Sequence, residues 1–567
     1  MKRLLSHRYA FPAIVLLGVV LCAPSLTTGL VADDWFHKLE LEHRPLNGMS
    51  PHPLDIFTFA DGNPDDTHKL MDVGVFPWWT DPEVRLAFFR PLSSLTHAID
   101  YALWPKAVWA MHLQNLLWFA LVLVVVGWAF RQFLPLETAT LALLLFAIDH
   151  VHGPAVGWIA NRNALIALAC GLPAVVFHQR GRWYAPLVFA IALFAGESAV
   201  AALAFIAAYE LHLAHGPWTQ RLRALLPYVA VMVLWRGLYA GLGYGAIHSG
   251  AYFDPGRNPL GYLKALPERA STLLAAQFAI PTSDFEPLYV YIGARFALMM
   301  ALGIWLVVGL TVIAFVPLWR SNATARFLAT GTILSTLPVC AAFPADRLLL
   351  FISVGAMGLI ALLLTTPQPR WCKPAVFAFI GLHLIVSPLI LPERARFVAD
   401  VEKPLHRAAI SVPATQSVVL VNPPSDMLAG YIQPELSGRM QPHPEHIRWL
   451  ASGASQLEIT REDARTLRIK PEGGFFPTLG ERMLRDPSRA MPPGTTVQLS
   501  GIKIEVLSAL PDGRPAEARF RFDVPLEDAS ISWMQWKDIR YVPFTPPAIG
   551  QSITLESVDY LAALFSK

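Results

Sequence analysis

AFPAIVLLGVVLCAPSLTTGLVADD, residues 10 to 34, runs an apolar stretch directly into two adjacent carboxylates, Asp33 and Asp34. The stretch is long enough for a helix to cross a hydrocarbon core of roughly 30 Å. An acid pair at its end is poorly placed for anchoring, so it points to chemistry done where a lipid meets water. Lys2, Arg3 and Arg8 precede the stretch and Cys22-Ala23-Pro24 is small, as in a secretory signal. The apolar run nevertheless continues to Val31, and a retained membrane helix is expected.

The same texture recurs outward from this segment. Of 567 residues, 54% are hydrophobic and 15% charged, and the mean hydropathy is +0.42, which excludes an ordinary soluble globule. A membrane all-α fold of about eleven transmembrane helices is expected, near residues 10–31, 109–131, 136–149, 160–178, 183–196, 198–213, 222–245, 293–318, 324–341, 346–366 and 373–391. The third, fifth and sixth are short for upright spans. A net charge of +3, with no long basic tract, argues against a nucleic-acid partner. Cys22, Cys170, Cys340 and Cys372 lie in or at the edges of apolar segments and imply neither a disulfide framework nor a metal-ligand spacing.

Basic residues orient the chain. Lys2, Arg3 and Arg8 precede the first span; Arg131 follows the second, Arg180 and Arg182 the fourth, Arg221 and Arg223 the sixth, Arg320 and Arg326 the eighth, Arg370 and Lys373 the tenth. Every second connection is therefore short and basic, the cytoplasmic signature. Asp33, Asp34 and everything after residue 391 are expected on the outer face, which in a bacterial inner membrane is the periplasm.

The long segments fall on that face. The outer loop 32–104 is far longer than a connector needs to be. Its last part, 85–104, carries Phe88, Leu92, Leu95, Ile99 and Leu103 at helical spacing and predicts a helix along the membrane surface. A second outer loop, 246–292, contains another helical stretch around 262–278. After residue 400 the pattern changes to alternation, as in 417–421, 496–499 and 518–522, broken by Pro and Gly turns. This predicts a transmembrane domain over 1–395 and a β-rich extracytoplasmic domain over 400–567.

The order of these elements, with Asp33-Asp34 opening the loop, Arg90-Pro91-Leu92 before the surface helix and His112-Leu113-Gln114-Asn115-Leu116-Leu117 in the next span, resembles the multi-pass glycosyltransferases of the C superfamily. The resemblance is nearest to the branch of protein O-mannosyltransferases and their bacterial relatives. The segment 149–162, DHVHGPAVGWIANR, is similar to that branch's His-Pro-x-His-x-Glu-Ala-Val-x-Trp-x-x-x-Arg loop, Gly196-Glu197-Ser198 to its Lys-Glu element, and Asp346-Arg347-Leu348 to its Glu-Arg element. Pro154 stands where the family has glutamate, Asp149-His150 where it has His-Pro, and Gly196 where it has lysine. The resemblance implies a sugar transferase with one aspartate as catalytic base, and it favours Asp33.

Chemistry supplies the same expectation separately. A transferase on the far side of a membrane from nucleotide sugars needs a donor already flipped across, and a polyprenyl phosphate sugar meets that need. Asp33 or Asp34 could deprotonate the acceptor as positive charge develops at the anomeric carbon, and neighbouring like charges raise one pKa toward that of a working base. The alternative is that the pair caps the helix that follows. Arg90 and Arg347 are candidate phosphate ligands, since guanidinium groups grip phosphate with paired hydrogen bonds. Against this, Arg90 could be a headgroup-directed surface arginine, and Arg347 could pair with Asp346. Arg162 divides between donor binding and loop bracing. Glu197 divides between organising substrate and sitting at the water interface of a helical turn.

His152 belongs with the substrate-binding candidates. With His150 and Asp149 it offers a short metal-like spacing that hydrogen-bonded loop histidines explain as well, so no metal ligand set is assigned. No cofactor is called for, a divalent cation being the one option left open. His112 and Asn115 suit ties between helices, His97 and Asp100 suit solvated positions, and Phe76, Trp78 and Trp79 suit either sugar stacking or an interfacial belt. The expected function is transfer of a sugar from a polyprenyl phosphate donor to a protein hydroxyl or a glycan or lipid acceptor on the outer face, with an inverting outcome. The alternatives are a transporter or flippase of glycolipid and a non-catalytic scaffold. The sequence shows no inverted repeat and few ionisable residues at mid-membrane depth, which weighs against transport.

Overall fold

The computed structural model describes residues 5–49, 52–280, 282–284, 294–407 and 413–559. A helix lies in each of the eleven apolar segments. Among the described residues, six helical stretches are long and apolar enough to cross a membrane: Ala10–Thr27, Val108–Phe133, Ile159–Gln179, Trp218–Gly241, Arg295–Ser321 and Arg370–Arg394. The bent pair Leu136–Ala147 and His150–Gly157, broken by 49°, would make a seventh. The count of eleven spans thus resolves into full crossings and shorter apolar helices such as Ala185–Leu193, Ala201–His212 and Leu350–Thr365. Gly196 and Glu197 interrupt the apolar run between the first two of these, where a short 3-10 turn, Glu197–Val200, replaces the α-helix.

Phe119, Phe146, Phe189, Phe205, Phe327 and Phe351 lie in one continuous core inside this bundle. At one of its ends the Arg131 guanidinium sits 5.0 Å over the Phe11 ring and Arg180 donates to Gln132 at 2.7 Å. Two of the basic turns therefore lie together, at the opposite end of helix Val108–Phe133 from the outer loop.

The outer loop and the C-terminal region fold as one body. Phe36, Leu70, Trp78 and Trp79 of the loop share a hydrophobic core with Val419, Phe475, Ile504 and Phe520 of the C-terminal strands. One sheet of that region is antiparallel throughout, in the order Ser552–Leu555, Leu457–Arg461, Thr466–Pro471, Pro515–Phe522, Ile502–Ala509, Thr496–Leu499. The other places Ser417–Leu420 between Ile447–Trp449 and Ile531–Lys537, parallel to both, with Arg540–Pro543 at its edge. The seam between loop and strands is tight. Gly74 ends helix Pro64–Val73 at φ 86°, and a Cβ there would fall 1.8 Å from the Ile447 carbonyl oxygen, so only glycine fits. Beside it Arg448 pairs with Asp72 at 2.9 Å.

The surface helix begins later than its spacing predicts. Residues Arg85–Ala87 form the middle strand of a small antiparallel sheet with Thr58–Asp61 and Gly245–Ile247, and the helix runs Pro91–Leu103. Its polarity is inverted relative to a soluble helix. Leu95, Ile99 and Leu103 are exposed, while Ser93, His97 and Asp100 are buried, which corrects the solvated positions expected for His97 and Asp100. A helix of this kind turns its apolar stripe to lipid and its polar stripe to the protein. The helical stretch in the second outer loop is Pro259–Phe278; residues 285–293 of that loop lie outside the described residues.

Candidate active site

A cavity of about 640 Å³ opens between the apolar helices and the body that loop 32–104 forms with the C-terminal strands. Asp33, Arg90, Glu197 and Arg347 line it; Asp34, Arg162 and His152 do not. The fold thus brings together residues from the first loop, the start of the surface helix, the Gly196 break and the turn before helix Leu350–Thr365.

Asp33 and Asp34 share the first turn of helix Asp33–Leu41, but neither side chain caps it. Asp34 is buried and faces away from the cavity. Its Oδ2 accepts the Val31 N–H at 3.0 Å and its Oδ1 the Ala160 N–H at 2.7 Å, which locks the helix start to the loop before Arg162. Burial pushes its carboxyl well above the usual carboxylate range, with the two N–H bonds working in the opposite direction. Asp33 faces the cavity, and its Oδ1 accepts the Tyr431 hydroxyl at 2.7 Å. Burial raises its pKa as well; the Tyr431 hydrogen bond and the charges of Arg347 and Arg90 pull it back.

The backbone just before this residue is held in an unusual shape. Ala32 has φ 48° and ψ −120°, a conformation that non-glycine residues rarely adopt. Its N–H donates to Glu402 Oε1 at 2.9 Å. Glu402 is buried and comes from helix Phe397–Arg407, which links the last membrane helix to the outer body. The position of Asp33 is therefore set from two distant parts of the chain.

The cations differ sharply. Arg90 Nε donates to Glu197 Oε2 at 2.8 Å, and its guanidinium lies over Phe88 and Phe57 at 4.7 and 5.0 Å. Glu197 also accepts the Tyr239 hydroxyl at 3.1 Å, so its second oxygen is occupied as well. The Arg347 guanidinium lies 5.6 Å over Trp158 and 5.5 Å over Phe343, with no hydrogen bond or ion pair to protein among the described residues. Of the two readings open for Arg347, the ion pair with Asp346 is not formed. Asp346 is fully buried, takes the Ser283 N–H and hydroxyl at 2.8 and 2.7 Å, and pairs with Arg394 at 2.9 Å. Arg347 is left as a cation facing the cavity, and Asp33 feels its charge.

Arg162 is a brace. It is fully buried, pairs with Asp100 at 2.6 Å, and donates to Asn115 Oδ1 at 2.6 Å and to the Met111 carbonyl at 3.0 Å. Asn115 in turn donates to the Val156 and Trp158 carbonyls. His112 contacts Thr28 and the Gly29 carbonyl, so His112 and Asn115 both tie segments together. His152 is wedged against Phe146, ring centroids 4.3 Å apart, and His150 bonds to Ser387. A Cβ on Gly157 would fall 1.9 Å from the Ala395 carbonyl oxygen, so this loop is pressed onto the end of the last membrane helix. Trp78 and Trp79 are core residues packed on Phe475 and Phe476 and present no face to a sugar; Phe76 lines the cavity.

Among the described residues, the one cluster with metal-like spacing is Asp81, Glu83 and His248, and Arg489 already pairs with both acids at 2.8 and 2.9 Å. Tyr431, Glu402 and Tyr239 carry no signal in the sequence. They belong to no motif; Tyr431 reaches Asp33 from 398 residues away and Glu402 reaches Ala32 from 370.

No protein-family model matches the chain. Over 139 residues it is 28% identical to Protein O-mannosyl-transferase TMTC3 of Homo sapiens and 27% identical to the same protein of Mus musculus. Each match covers 23% of this chain and 15% of the relative's length. Among solved structures, ArnT from Cupriavidus metallidurans bound to undecaprenyl phosphate is similar at 12% identity and a TM-score of 0.35, over 78% of this chain and 90% of that one. The Archaeoglobus fulgidus oligosaccharyltransferase tethered with an acceptor peptide is similar at 10% identity and a TM-score of 0.37, over 78% and 64%.

Proposed function

We propose that the chain is an integral membrane glycosyltransferase that moves a sugar from a polyprenyl phosphate donor to an acceptor hydroxyl on the outer face. The observation that carries this reading is one cavity lined by a carboxylate, Asp33, and by Arg347, an arginine with no hydrogen bond or ion pair among the described residues, whose charge acts on Asp33. The likeness to an O-mannosyl-transferase supports sugar transfer as the reaction type. The basic connections favour a cavity on the outer face, with the N-terminus cytoplasmic.

The acceptor O–H gives its proton to Asp33, and the oxygen attacks the anomeric carbon. The bond from that carbon to the phosphate oxygen breaks, and polyprenyl phosphate leaves with the electron pair. Arg347 stabilises the departing phosphate, and Arg90, fixed by Glu197, adds positive charge nearby. One displacement inverts the anomeric centre. Asp34 and Arg162 hold the loops that carry these groups and do not touch substrate.

The test measures transfer of labelled sugar from a polyprenyl phosphate mannose donor in membranes containing the full chain. Asp33→Asn should lower the rate about 10²–10⁴-fold, the usual worth of a general base, with thermal stability unchanged. Undiminished transfer by Asp33→Asn would overturn the assignment. A reporter fused after residue 413 should read as outward-facing, and an inward reading would reverse the donor argument.

A further inference from the structure

We propose that Asp426 and Glu481, on the wall of the cavity built by the outer body, form an acceptor subsite for a neutral, hydroxyl-rich saccharide. This rests on the transferase reading above and names the acceptor class. Asp426 opens the short helix Asp426–Ala429, and Glu481 opens the turn Glu481–Leu484. Each is 4% or less exposed, and both line the cavity. Among the described residues neither carboxylate oxygen of Asp426 has a hydrogen-bond partner. Glu481 Oε2 accepts the Thr478 N–H at 3.2 Å. The Ser452 hydroxyl and the Thr478 N–H both serve the Glu481 carboxylate, whereas Asp426 has neither. Buried polar atoms are almost always satisfied in native proteins, so the two orphaned Asp426 oxygens on the cavity wall point to something that binds there.

The chemistry narrows the ligand. A carboxylate accepts two or more O–H groups, and a protonated carboxyl donates one in return, which together match the alternating donors and acceptors of a sugar. Burial pushes both groups up, Glu481 to about 7, and the Glu481 charge raises Asp426 further, so the pair holds a proton at neutral pH and offers both functions. A phosphate would meet repulsion from the acids. A cation would meet Arg482 and Arg514, whose charges already act on Glu481. Phe36, whose ring lies 5.9 Å from both Phe59 and Tyr431, adds an apolar face to the same cavity.

Position links the subsite to the reaction. Gly430 and Tyr431 both have right-handed helical backbone, so Asp426 and Tyr431 are separated by a helical rise of about 7.5 Å. Tyr431 is the residue whose hydroxyl meets Asp33. A saccharide held by Asp426 therefore has Asp33 within the reach of a short oligosaccharide.

The test uses the full chain in nanodiscs with methyl mannobioside as probe, read by saturation-transfer NMR. The wild type should bind it, and the double variant Asp426→Asn with Glu481→Gln should bind about tenfold or more weakly. Arg347→Ala should keep it. In a second measurement, independent of how the variants fold, a hydrophobic carbodiimide should label Asp426 or Glu481 of the wild type, and the saccharide should slow that labelling. Equal binding by the double variant, absence of protection, or protection by methylammonium or a serine peptide in place of the saccharide would overturn the subsite. Decaprenyl phosphate binding separates the two readings. If the wild type fails to bind the lipid but the saccharide still protects, the transferase reading falls and the subsite stands; lipid binding without saccharide protection has the reverse meaning.

Discussion

Arg162 and Arg347 both stand at motifs near the outer ends of apolar helices, and both are candidate phosphate ligands by sequence. Arg162 is fully buried and does not line the cavity, with an aspartate, an asparagine and a backbone carbonyl as partners. Arg347 lies in the wall over the Trp158 and Phe343 rings, with no hydrogen bond or ion pair among the described residues. Asp34 and Asp33 divide in the same way, one satisfied by two backbone N–H groups and one turned to the cavity. Saturation of hydrogen-bonding capacity, more than residue type, distinguishes a brace from a ligand here.

Substitutions can break that contrast or sharpen it. Arg162→Ala leaves Asp100 buried without its cation and should destabilise the fold by about 3–5 kcal/mol, read as a large drop in the thermal transition of purified protein. If the same change in Arg347 were equally destabilising, the contrast would fail. Arg347→Ala should shift stability by less than about 0.5 kcal/mol while weakening polyprenyl phosphate binding about 10–100-fold.

Tyr431→Phe probes the cavity-facing acid. Activity requires ionised Asp33, so it falls as pH drops through the Asp33 pKa, which burial places above the usual carboxylate range. The Tyr431 hydrogen bond lowers that pKa, so its loss should move the acid limb of kcat/KM to higher pH, with a fall of about tenfold at neutral pH. An unmoved limb would mean that Tyr431 does not act on the base. The smallest effect is expected at Ala32→Gly, where relief of the φ 48° backbone should raise stability by about 1 kcal/mol.

Much of the architecture was legible because membrane helices announce themselves through long apolar runs, and strands such as Thr496–Leu499 through alternation. The surface helix was misread at its start because Arg85–Ala87 pairs with strands from elsewhere, a tertiary choice that local spacing does not record. His97 and Asp100 were assigned to solvent on the logic of soluble helices, which reverses where lipid lies on the apolar side. Asp33 and Asp34 could not be told apart for a related reason. Their difference resides in the Ala160 N–H and the Tyr431 hydroxyl, each more than a hundred residues away. Glu402, Asp426 and Glu481 had no local pattern at all, since a buried acid stands out only once its surroundings are folded.

The Tyr431–Asp33 hydrogen bond also orders events during synthesis. Asp33 leaves the ribosome just behind helix Ala10–Thr27, but its donor follows 398 residues later. At about 5–20 residues per second, that interval is on the order of 20–80 s. Throughout it the carboxylate waits in an unfinished site, and Glu402, 370 residues behind Ala32, arrives only shortly before Tyr431. The chain therefore completes the surroundings of Asp33 only after the apolar helices from Ala10–Thr27 to Arg370–Arg394 have been made, so a product stalled before Tyr431 carries the acid without the groups that place it.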